Sequence, residues 1–432
     1  MQQYDLSKLS EKELQELCKR PAINFSSVAP TVQSILDDVK QNGDVAIRKY
    51  EAKFGGTQNE LLVSPAEITE ACKRISSEMK AAFEQAVKNI EQFHKAQLKT
   101  EEPVETMPGV TCFAQMRGIE KVGLYIPGGT APLPSTVLML AIPAKLAGCK
   151  EIVLCTPSKK GQVPDIILYA AQLCGVTKIF KIGGAQAIAA MAYGSKTVPK
   201  TYKVFGPGNQ YVTAAKMLVS VDPAGAAIDM PAGPSEVLVV ADKQARADFV
   251  AADLLAQAEH GTDSQVVLVS DSASKIDEVL IELEKQLEFL PRKDIAAGAL
   301  ESSFALLTPN SQAAIDFSNR YAPEHLILNT KNADSLMSSV VNAGSVFVGP
   351  YACESAGDYA SGTNHSLPTY GYARAYSGVS VASFQKRITF QQVAKEGAAN
   401  IGPIVSTMAT EEGLDAHRRA MEFRYKNQED VV

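Results

Sequence analysis

Hydrophobic residues recur at two different spacings along this chain, and the spacing changes near residue 120. Before that point, apolar positions recur every three or four residues, which is the period of an amphipathic helix. Ser64 and Glu67 match a capping box, and the apolar pattern that follows predicts one long helix through Ile90. His94 continues the same apolar stripe, so we interpret it as a core or interface histidine in preference to a metal ligand.

Beyond residue 120, short β-branched runs alternate with segments of helical period. Near-continuous apolar strands that alternate with helices are typical of a buried parallel sheet with helical crossovers. We therefore predict an α/β fold with two α/β units in succession. The predicted strands begin near residues 122, 151, 178 and 201 in the first series and near residues 237, 265, 304, 325 and 343 in the second.

The segment that starts near Ser383 is more polar than the two α/β series. We predict that it is helical, contains no strand, and ends in a last helix around His417. With no strand to join a sheet, this segment would dock on the α/β body or reach a partner chain.

Composition narrows the class of protein. A chain of 432 residues that is 46% hydrophobic and 21% charged is expected to fold into more than one domain. A net charge of -6, without Lys/Arg clusters interleaved with aromatics, argues against nucleic-acid binding. The charged N-terminus and the short apolar run at residues 137–144 predict neither a signal peptide nor a membrane span. Seven scattered cysteines indicate reduced thiols in a cytoplasmic protein.

Three predicted strand-to-helix turns are rich in glycine, at residues 127–129, 183–185 and 206–209. Glycine lets backbone N–H groups approach a phosphate at a helix N-terminus. None of the turns is a full G-x-G-x-x-G, and tight connections in any α/β protein explain them equally well. Their polar neighbours Tyr125, Gln186 and Asn209 suit contacts to ribose and pyrophosphate better than packing.

Four of the five histidines lie beside acidic or amide residues. Gln257 and His260 share one face of a predicted helix, Asp358 precedes His365 in a polar, turn-rich stretch, and His417 follows Glu412 by five residues. Nitrogen and oxygen ligands of this kind suit zinc. The spacing matches no short zinc motif, so solvated or capping histidines remain the alternative.

The adjacent pair Glu324 and His325 opens a predicted strand. Neighbouring residues on a strand point to opposite faces, so both can serve one site only at the end of the strand. A histidine can act as a general base near neutral pH, and a carboxylate beside it can tune it or activate water. Two polar residues at a loop edge are the alternative interpretation.

Six stretches, in the order in which they occur, resemble the histidinol dehydrogenase family over nearly the whole chain. They are VGLYIPGGTAPLPSTVLMLA, FGPGNQYV, DMPAGPSEVLVVAD, DLLAQAEHGTDSQ, YAPEHL and AGSVFVGPYACESAGDYASGTNHSLPTYG.

The resemblance implies two incomplete Rossmann-like domains with small helical N- and C-terminal extensions. It also implies an intertwined homodimer in which the C-terminal segment completes the neighbour's site. The corresponding divisions here are residues 1–25 for the N-terminal extension, 26–120 with 236–382 for the domain with zinc and catalytic residues, 121–235 for the NAD domain, and 383–432 for the C-terminal extension.

The resemblance further implies a set of site residues. One zinc ion per subunit would be held by Gln257, His260, Asp358 and His417. Glu324 and His325 would be catalytic, and Tyr125, Gln186 and Asn209 would contact NAD. The substrate contacts would be Ser235, Gln257, His260, His325, Asp358, His365, Glu412 and His417, with Glu354 near the substrate imidazole.

The implied activity is the NAD-dependent four-electron oxidation of L-histidinol to L-histidine through bound L-histidinaldehyde, the last step of histidine biosynthesis. The nearest alternative is a zinc- and NAD-dependent dehydrogenase of the same family that acts on another small diol or amino alcohol. A zinc-dependent hydrolase and a non-catalytic nucleotide-binding protein are more distant alternatives. A cysteine nucleophile is less favoured, because neither Cys149 nor Cys353 has an adjacent histidine.

Overall fold

A computed structural model describes residues 1–20, 25–57, 59–128, 132–231 and 233–426 of the chain. The strands within these ranges are β1 (Gln2–Asp5), β2 (Val104–Met107), β3 (Val110–Gly118), β4 (Lys121–Tyr125), β5 (Glu151–Cys155), β6 (Lys178–Phe180), β7 (Lys203–Phe205), β8 (Ala227–Ile228), β9 (Glu236–Ala241), β10 (Gln265–Ser270), β11 (Phe304–Leu307), β12 (His325–Asn329), β13 (Ser345–Val348) and β14 (Gln385–Val393).

The α-helices in the same ranges are α1 (Glu11–Leu17), α2 (Phe25–Asn42), α3 (Asp44–Lys53), α4 (Pro65–Arg74), α5 (Ser77–Lys95), α6 (Pro134–Leu146), α7 (Asp165–Cys174), α8 (Gly184–Tyr193), α9 (Gln210–Val221), α10 (Ala247–Ala258), α11 (Ala273–Leu287), α12 (Lys293–Glu301), α13 (Ser311–Tyr321), α14 (Ala333–Leu336), α15 (Glu354–Tyr359), α16 (Lys395–Glu411) and α17 (Asp415–Tyr425). None of them is both long enough and apolar enough to cross a bilayer.

Two parallel sheets form the α/β body. One has six strands in the order β1-β11-β10-β9-β12-β13, and the other has five in the order β6-β5-β4-β7-β8. All nine strands predicted from the apolar runs lie in these two sheets, so the predicted α/β fold is confirmed. The N-terminal segment adds β1, which pairs in parallel with β11.

Contact density divides the chain into two compact units. The first comprises Met1–Lys95 and Ile119–Phe384 and contains both parallel sheets. The second comprises Ala96–Gly118 and the described residues from Gln385 onward.

The prediction of a strandless C-terminal segment is wrong. Strand β14 pairs antiparallel with β3 along its full length, and Phe390 stacks on Phe113 with ring centroids 5.2 Å apart. Its side chains are largely exposed, so they do not form the apolar run expected of a buried strand. Its partner strand also lies far upstream in the sequence, where a local pattern cannot reveal it.

The long helix predicted through Ile90 is broken into α4 and α5. Ile75 has an extended backbone with φ -75° and ψ 130°, and the Ser76 hydroxyl accepts a hydrogen bond from Met79 N at 3.2 Å. Because Ser76 caps the start of a new helix, the apolar periodicity continues although the helix does not. His94 is buried in α5 with Nδ1 2.8 Å from the Ile90 carbonyl oxygen, which confirms its interpretation as a core histidine.

Both faces of each parallel sheet are covered, which explains why their strands are apolar throughout. Successive residues of a strand enter opposite cores: Leu238 packs into one cluster and Val239 into the other. In the five-stranded sheet, Leu154 and Cys155 divide in the same way.

Candidate active site

A cavity in the first unit is lined by residues from both parallel sheets. One side consists of residues at the amino-terminal edge of the six-stranded sheet, where β9 and β12 begin. The other side includes Gly206 and Pro207, which follow β7 at the carboxyl-terminal edge of the five-stranded sheet. The predicted site residues that line this cavity are Ser235, His260, Glu324, His325, Asp358 and His365.

Glu324 and His325 reach the same cavity because β12 begins between them. The Glu324 carboxylate accepts a hydrogen bond from Glu236 N at 2.9 Å, and His325 Nδ1 donates to the Glu236 carbonyl oxygen at 3.2 Å. His325 Nδ1 also lies 3.6 Å from Glu324 Oε2. The backbone of a single residue, at the start of the neighbouring strand, therefore fixes both side chains.

The electrostatics of this pair suit proton transfer. Burial lowers the pKa of His325 to about 3, so the imidazole is neutral at physiological pH. Because Nδ1 donates to a carbonyl, Nε2 carries the free lone pair, and Nε2 has no hydrogen-bond partner among the described residues. Burial also raises the pKa of Glu324 well above its usual range, although the hydrogen bond from the Glu236 backbone opposes this rise.

Carboxylates concentrate beside the histidine. Donor atoms of His260, Glu354 and Asp358 lie within 4.8 Å of one another, and His325 Nε2 is 3.8 Å from Asp358 Oδ1. The Gln257 side-chain amide is 2.8 Å from Glu354 Oε1. Burial raises the pKa of Glu354 well above its usual range, and repulsion from the neighbouring carboxylates raises it further. Asp358 Oδ1 is buried and has no hydrogen-bond partner in the part of the chain that the structure describes.

This donor set fits a divalent cation. Imidazole nitrogen and carboxylate oxygen are zinc ligands, and a bound cation would relieve both the orphaned oxygen of Asp358 and the repulsion among the acids. Three of the four predicted ligands, Gln257, His260 and Asp358, lie around this cluster. Glu354 belongs to it as well, although the sequence placed that residue only near the substrate.

His365 lines the cavity beside Asp358. Its Nε2 is 3.2 Å from Thr136 Oγ1 at the start of α6, and its Nδ1 is 3.1 Å from the Asp358 carbonyl oxygen. Burial lowers the pKa of His365 to about 4, so this ring is also neutral. The two bonds hold it as a polar contact for a ligand in the cavity.

The three predicted NAD residues lie at the carboxyl-terminal edge of the five-stranded sheet. The Tyr125 hydroxyl accepts from Gly184 N at 3.0 Å, and Gln186 donates through Nε2 to Glu51 at 2.8 Å. Asn209 caps α9 by accepting from the backbone N–H groups of residues 211 and 212. Gly129, in the first glycine-rich turn, lies outside the described residues.

These residues fit a dinucleotide. Carboxyl-terminal edges of parallel sheets are where nucleotides bind in α/β proteins. Gln186 Oε1 is buried without a hydrogen-bond partner among the described groups, so it can accept from a ligand hydroxyl. Gly206 has φ +118°, and a Cβ there would lie 2.1 Å from the Tyr125 carbonyl oxygen, which explains the need for glycine in this turn.

Comparisons with known proteins identify the family of this chain. The family model described as histidinol dehydrogenase matches residues 18–425. The chain belongs to the histidinol dehydrogenase family. It is 57% identical over 417 residues to a histidinol dehydrogenase of Bacteroides thetaiotaomicron, covering 96% of this chain and 97% of that relative.

Two further relatives extend the match to a plant protein and to a solved structure. The chain is 54% identical over 431 residues to the chloroplastic histidinol dehydrogenase of Arabidopsis thaliana, covering 99% of this chain and 92% of that protein. The crystal structure of a histidinol dehydrogenase from Elizabethkingia anophelis matches it with a TM-score of 0.95 at 50% identity, covering 98% of each chain.

Two predicted site residues belong to the second unit. Glu412 follows the last residue of α16, and His417 lies in the first turn of α17. Both are exposed, and the residues lining the cavity all come from the first unit.

The cysteine alternative gains no support. All seven cysteines are described, and none of them lines the cavity. Burial raises the pKa of Cys149 to about 11, which disfavours the thiolate that a nucleophile requires.

Sequence reasoning missed several charged residues that shape the site. Lys216 donates to the Gly206 carbonyl oxygen at 2.8 Å and pairs with Asp229 at 2.5 Å, which holds the turn after β7. Glu51 accepts from Gly183 N at 3.0 Å, and Asp253 lies one turn before Gln257 on α10. A charged residue on the apolar face of a helical pattern is the signal that could have found Lys216, Glu51 and Asp253.

The buried carboxyl of Asp253 generates a prediction about stability and pH. Burial raises its pKa to about 7, so the folded protein retains a proton that the unfolded chain releases above about pH 4. Stability therefore falls as pH rises through this window. We expect Asp253→Asn to leave the free energy of unfolding unchanged below pH 4 and to raise it by up to about 4 kcal/mol at pH 8.

Chemical denaturation across pH 4 to 8, in the presence of a chelator, measures this effect. Asp165→Asn is the opposing control. The Arg74 guanidinium lowers the pKa of the Asp165 carboxyl, so replacing this carboxyl should lower the free energy of unfolding at neutral pH. A difference between Asp253→Asn and the parent that does not vary with pH would contradict the assignment.

Proposed function

We propose that this chain oxidises L-histidinol to L-histidine in two successive two-electron steps, with bound L-histidinaldehyde between them, as the last reaction of histidine biosynthesis. The observation that carries the proposal is the convergence of Glu324, His325, Asp358 and His365 on one cavity. A neutral imidazole base beside a carboxylate matches the needs of an alcohol oxidation followed by hydration of an aldehyde.

The base of the first step is His325. His325 lines the cavity and its Nε2 has no hydrogen-bond partner among the described residues, so it takes the hydroxyl proton of the amino alcohol as the carbinol C–H bond breaks. Bound NAD supplies the hydride acceptor. We propose that Tyr125, Gln186 and Asn209 contact this dinucleotide, and the unpartnered buried Oε1 of Gln186 supports an acceptor role toward it.

The second step needs an activated water. Glu324 is a buried carboxyl with a raised pKa, so its ionised form is a stronger base than an exposed carboxylate. We assign it to deprotonating the water that adds to the aldehyde. His325, after releasing its first proton, then takes a hydroxyl proton of the hydrated aldehyde as the second hydride leaves for a second NAD, which has replaced the NADH of the first step.

We assign Gln257, His260, Asp358 and His417 as ligands of one zinc ion per subunit. Bound zinc supplies a Lewis acid that anchors nitrogen atoms of the amino alcohol. The orphaned oxygen of Asp358 and its neighbour His260 support this assignment. Ser235, His365 and Glu412 complete the proposed substrate contacts, and burial inside the cavity protects the aldehyde from side reactions.

We further propose a homodimer with shared sites. Glu412 and His417 belong to the second compact unit and are exposed, so they are available to a neighbouring chain. In this arrangement the C-terminal segment of each subunit completes the partner's site. The free cysteines and acidic composition support a cytoplasmic location without nucleic-acid or membrane partners.

The yield of NADH per histidinol consumed tests the proposed reaction. We expect a ratio near two, because the alcohol and the aldehyde each give up one hydride, and we expect the rate to collapse after metal removal and to return with zinc. Absorbance at the NADH band with calibrated histidinol measures both. A ratio near one, or turnover of another small amino alcohol instead, would contradict the assignment, and hydrolysis without NADH would indicate a zinc-dependent hydrolase.

Glu324→Gln separates the two half-reactions. The amide keeps the size of the side chain but cannot accept a proton, so the aldehyde-to-acid half should lose about 100-fold or more while the alcohol-to-aldehyde half loses much less. Single-turnover assays that start from histidinol or from histidinaldehyde measure each half. Equal losses in both halves would disprove the division of roles.

Mixing two inactive variants tests the shared sites. His417→Ala removes a proposed zinc ligand from the partner's site. Glu324→Gln removes the proposed base from the chain's own site. Because the pairing is isologous, a mixed dimer should contain one intact site and one doubly altered site. About half of the dimers are mixed after statistical exchange, so activity should recover toward a quarter of the parent level. Confirmed exchange without recovery would show that each site is built within one chain.

A further inference from the structure

Arg20, near the N-terminus, is buried among residues that are distant in sequence. Its side chain is only 4% exposed, and its guanidinium pairs with Glu236 through two bonds, Nε to Oε2 at 2.8 Å and Nη2 to Oε1 at 2.9 Å. The same group lies 3.5 Å above the ring centre of Tyr321. This is the planar, two-point geometry that arginine provides and lysine does not.

The guanidinium also fixes the turn that leads into Glu324. It donates to the carbonyl oxygens of Tyr321 at 2.6 Å and Ala322 at 3.2 Å. Ala322 has φ +55°, a left-handed conformation that is unfavourable for a residue with a Cβ. Arg20 therefore donates hydrogen bonds to the turn in which the backbone adopts this unfavourable conformation.

Glu236, the partner of Arg20, holds the catalytic pair directly. Its backbone N–H donates to the Glu324 carboxylate and its carbonyl accepts from His325 Nδ1. Its own carboxylate accepts from Glu324 N at 3.2 Å. One residue thus contacts the side chains of Glu324 and His325 and the backbone between the turn and β12.

We infer that Arg20 and Glu236 are positioning residues that set the orientation of the Glu324 carboxylate and the His325 imidazole through this network. The expected effect on kinetics rests on the proposed function, whereas the effect on the positions of the side chains does not. Stability alone does not account for the pair, because a buried ion pair adds little stability over apolar residues of the same volume. Its contacts converge on the two groups that must be aligned with the substrate.

Arg20→Lys tests the inference. Lysine keeps the positive charge beside Glu236 but cannot bond both carboxylate oxygens and the two carbonyls at once. We expect kcat to fall about tenfold to 100-fold and the histidinol KM to stay within about twofold, because misplacement of reacting groups affects the chemical step more than binding. Glu236→Gln, which keeps the side-chain shape, should produce the same split.

Arg74→Lys is the matched control. Arg74 makes a two-point pair with Asp165 at 2.6 Å for both bonds, on the surface and outside the set of residues that line the cavity. Its substitution should leave kcat and KM unchanged. Thermal unfolding of all variants shows whether each one is folded at the assay temperature.

Crystal structures of the Arg20→Lys and Glu236→Gln variants supply a readout that does not depend on the substrate. We expect the Glu324 carboxylate or the His325 ring to leave its bond to Glu236. Folded variants with kcat within twofold of the parent, or with Glu324 and His325 unmoved, would overturn the inference. Failure of the parent protein to oxidise histidinol would count against the proposed function instead, and the variant structures would still decide the positioning role.

Discussion

The site depends on hydrogen bonds from the backbone of Glu236 to two buried polar side chains. A carboxylate and an imidazole removed from water each need fixed partners, or their burial costs several kcal/mol. Glu236, the first residue of β9, offers its backbone N–H to the Glu324 carboxylate and its carbonyl to the His325 imidazole. Glu324 and His325 take these two groups, so the end of a strand supplies both the partners and the open space for a ligand.

The bonds to Glu236 form where strands begin, which explains why the cavity is bounded by different edges of the two parallel sheets. The six-stranded sheet contributes its amino-terminal edge, where β9 and β12 start, and the five-stranded sheet contributes its carboxyl-terminal edge after β7. The first edge offers buried acid–base groups, and the second offers the glycine-rich turns at which dinucleotides bind in α/β proteins. Buried acid–base groups and a glycine-rich turn therefore line the same cavity.

Burial dominates the charge state of the whole cluster. It raises the pKa values of Glu324, Glu354 and Asp358 and lowers those of His325 and His365, so the folded chain favours neutral groups throughout. The ionised acids would repel one another, and a bound cation would offset that repulsion, which is why the acids fit the proposed zinc site. It also keeps both imidazoles neutral near neutral pH, and the Nε2 atom of His325 remains an unpartnered acceptor among the described residues.

The sequence by itself determined the α/β fold, the positions of nine of the eleven strands in the two parallel sheets and the capping box of α4, because apolar period and capping are local properties. It also pointed to Glu324 and His325, through their position where an apolar run begins. Only the tertiary structure showed that α4 and α5 are separate, since the helix ends before Ser76 and a new one begins after it while the apolar periodicity continues. The pairing of β14 with β3, the ion pair of Arg20 with Glu236 and the closeness of Glu354 to His260 all join residues far apart in the chain, and no local pattern encodes such contacts.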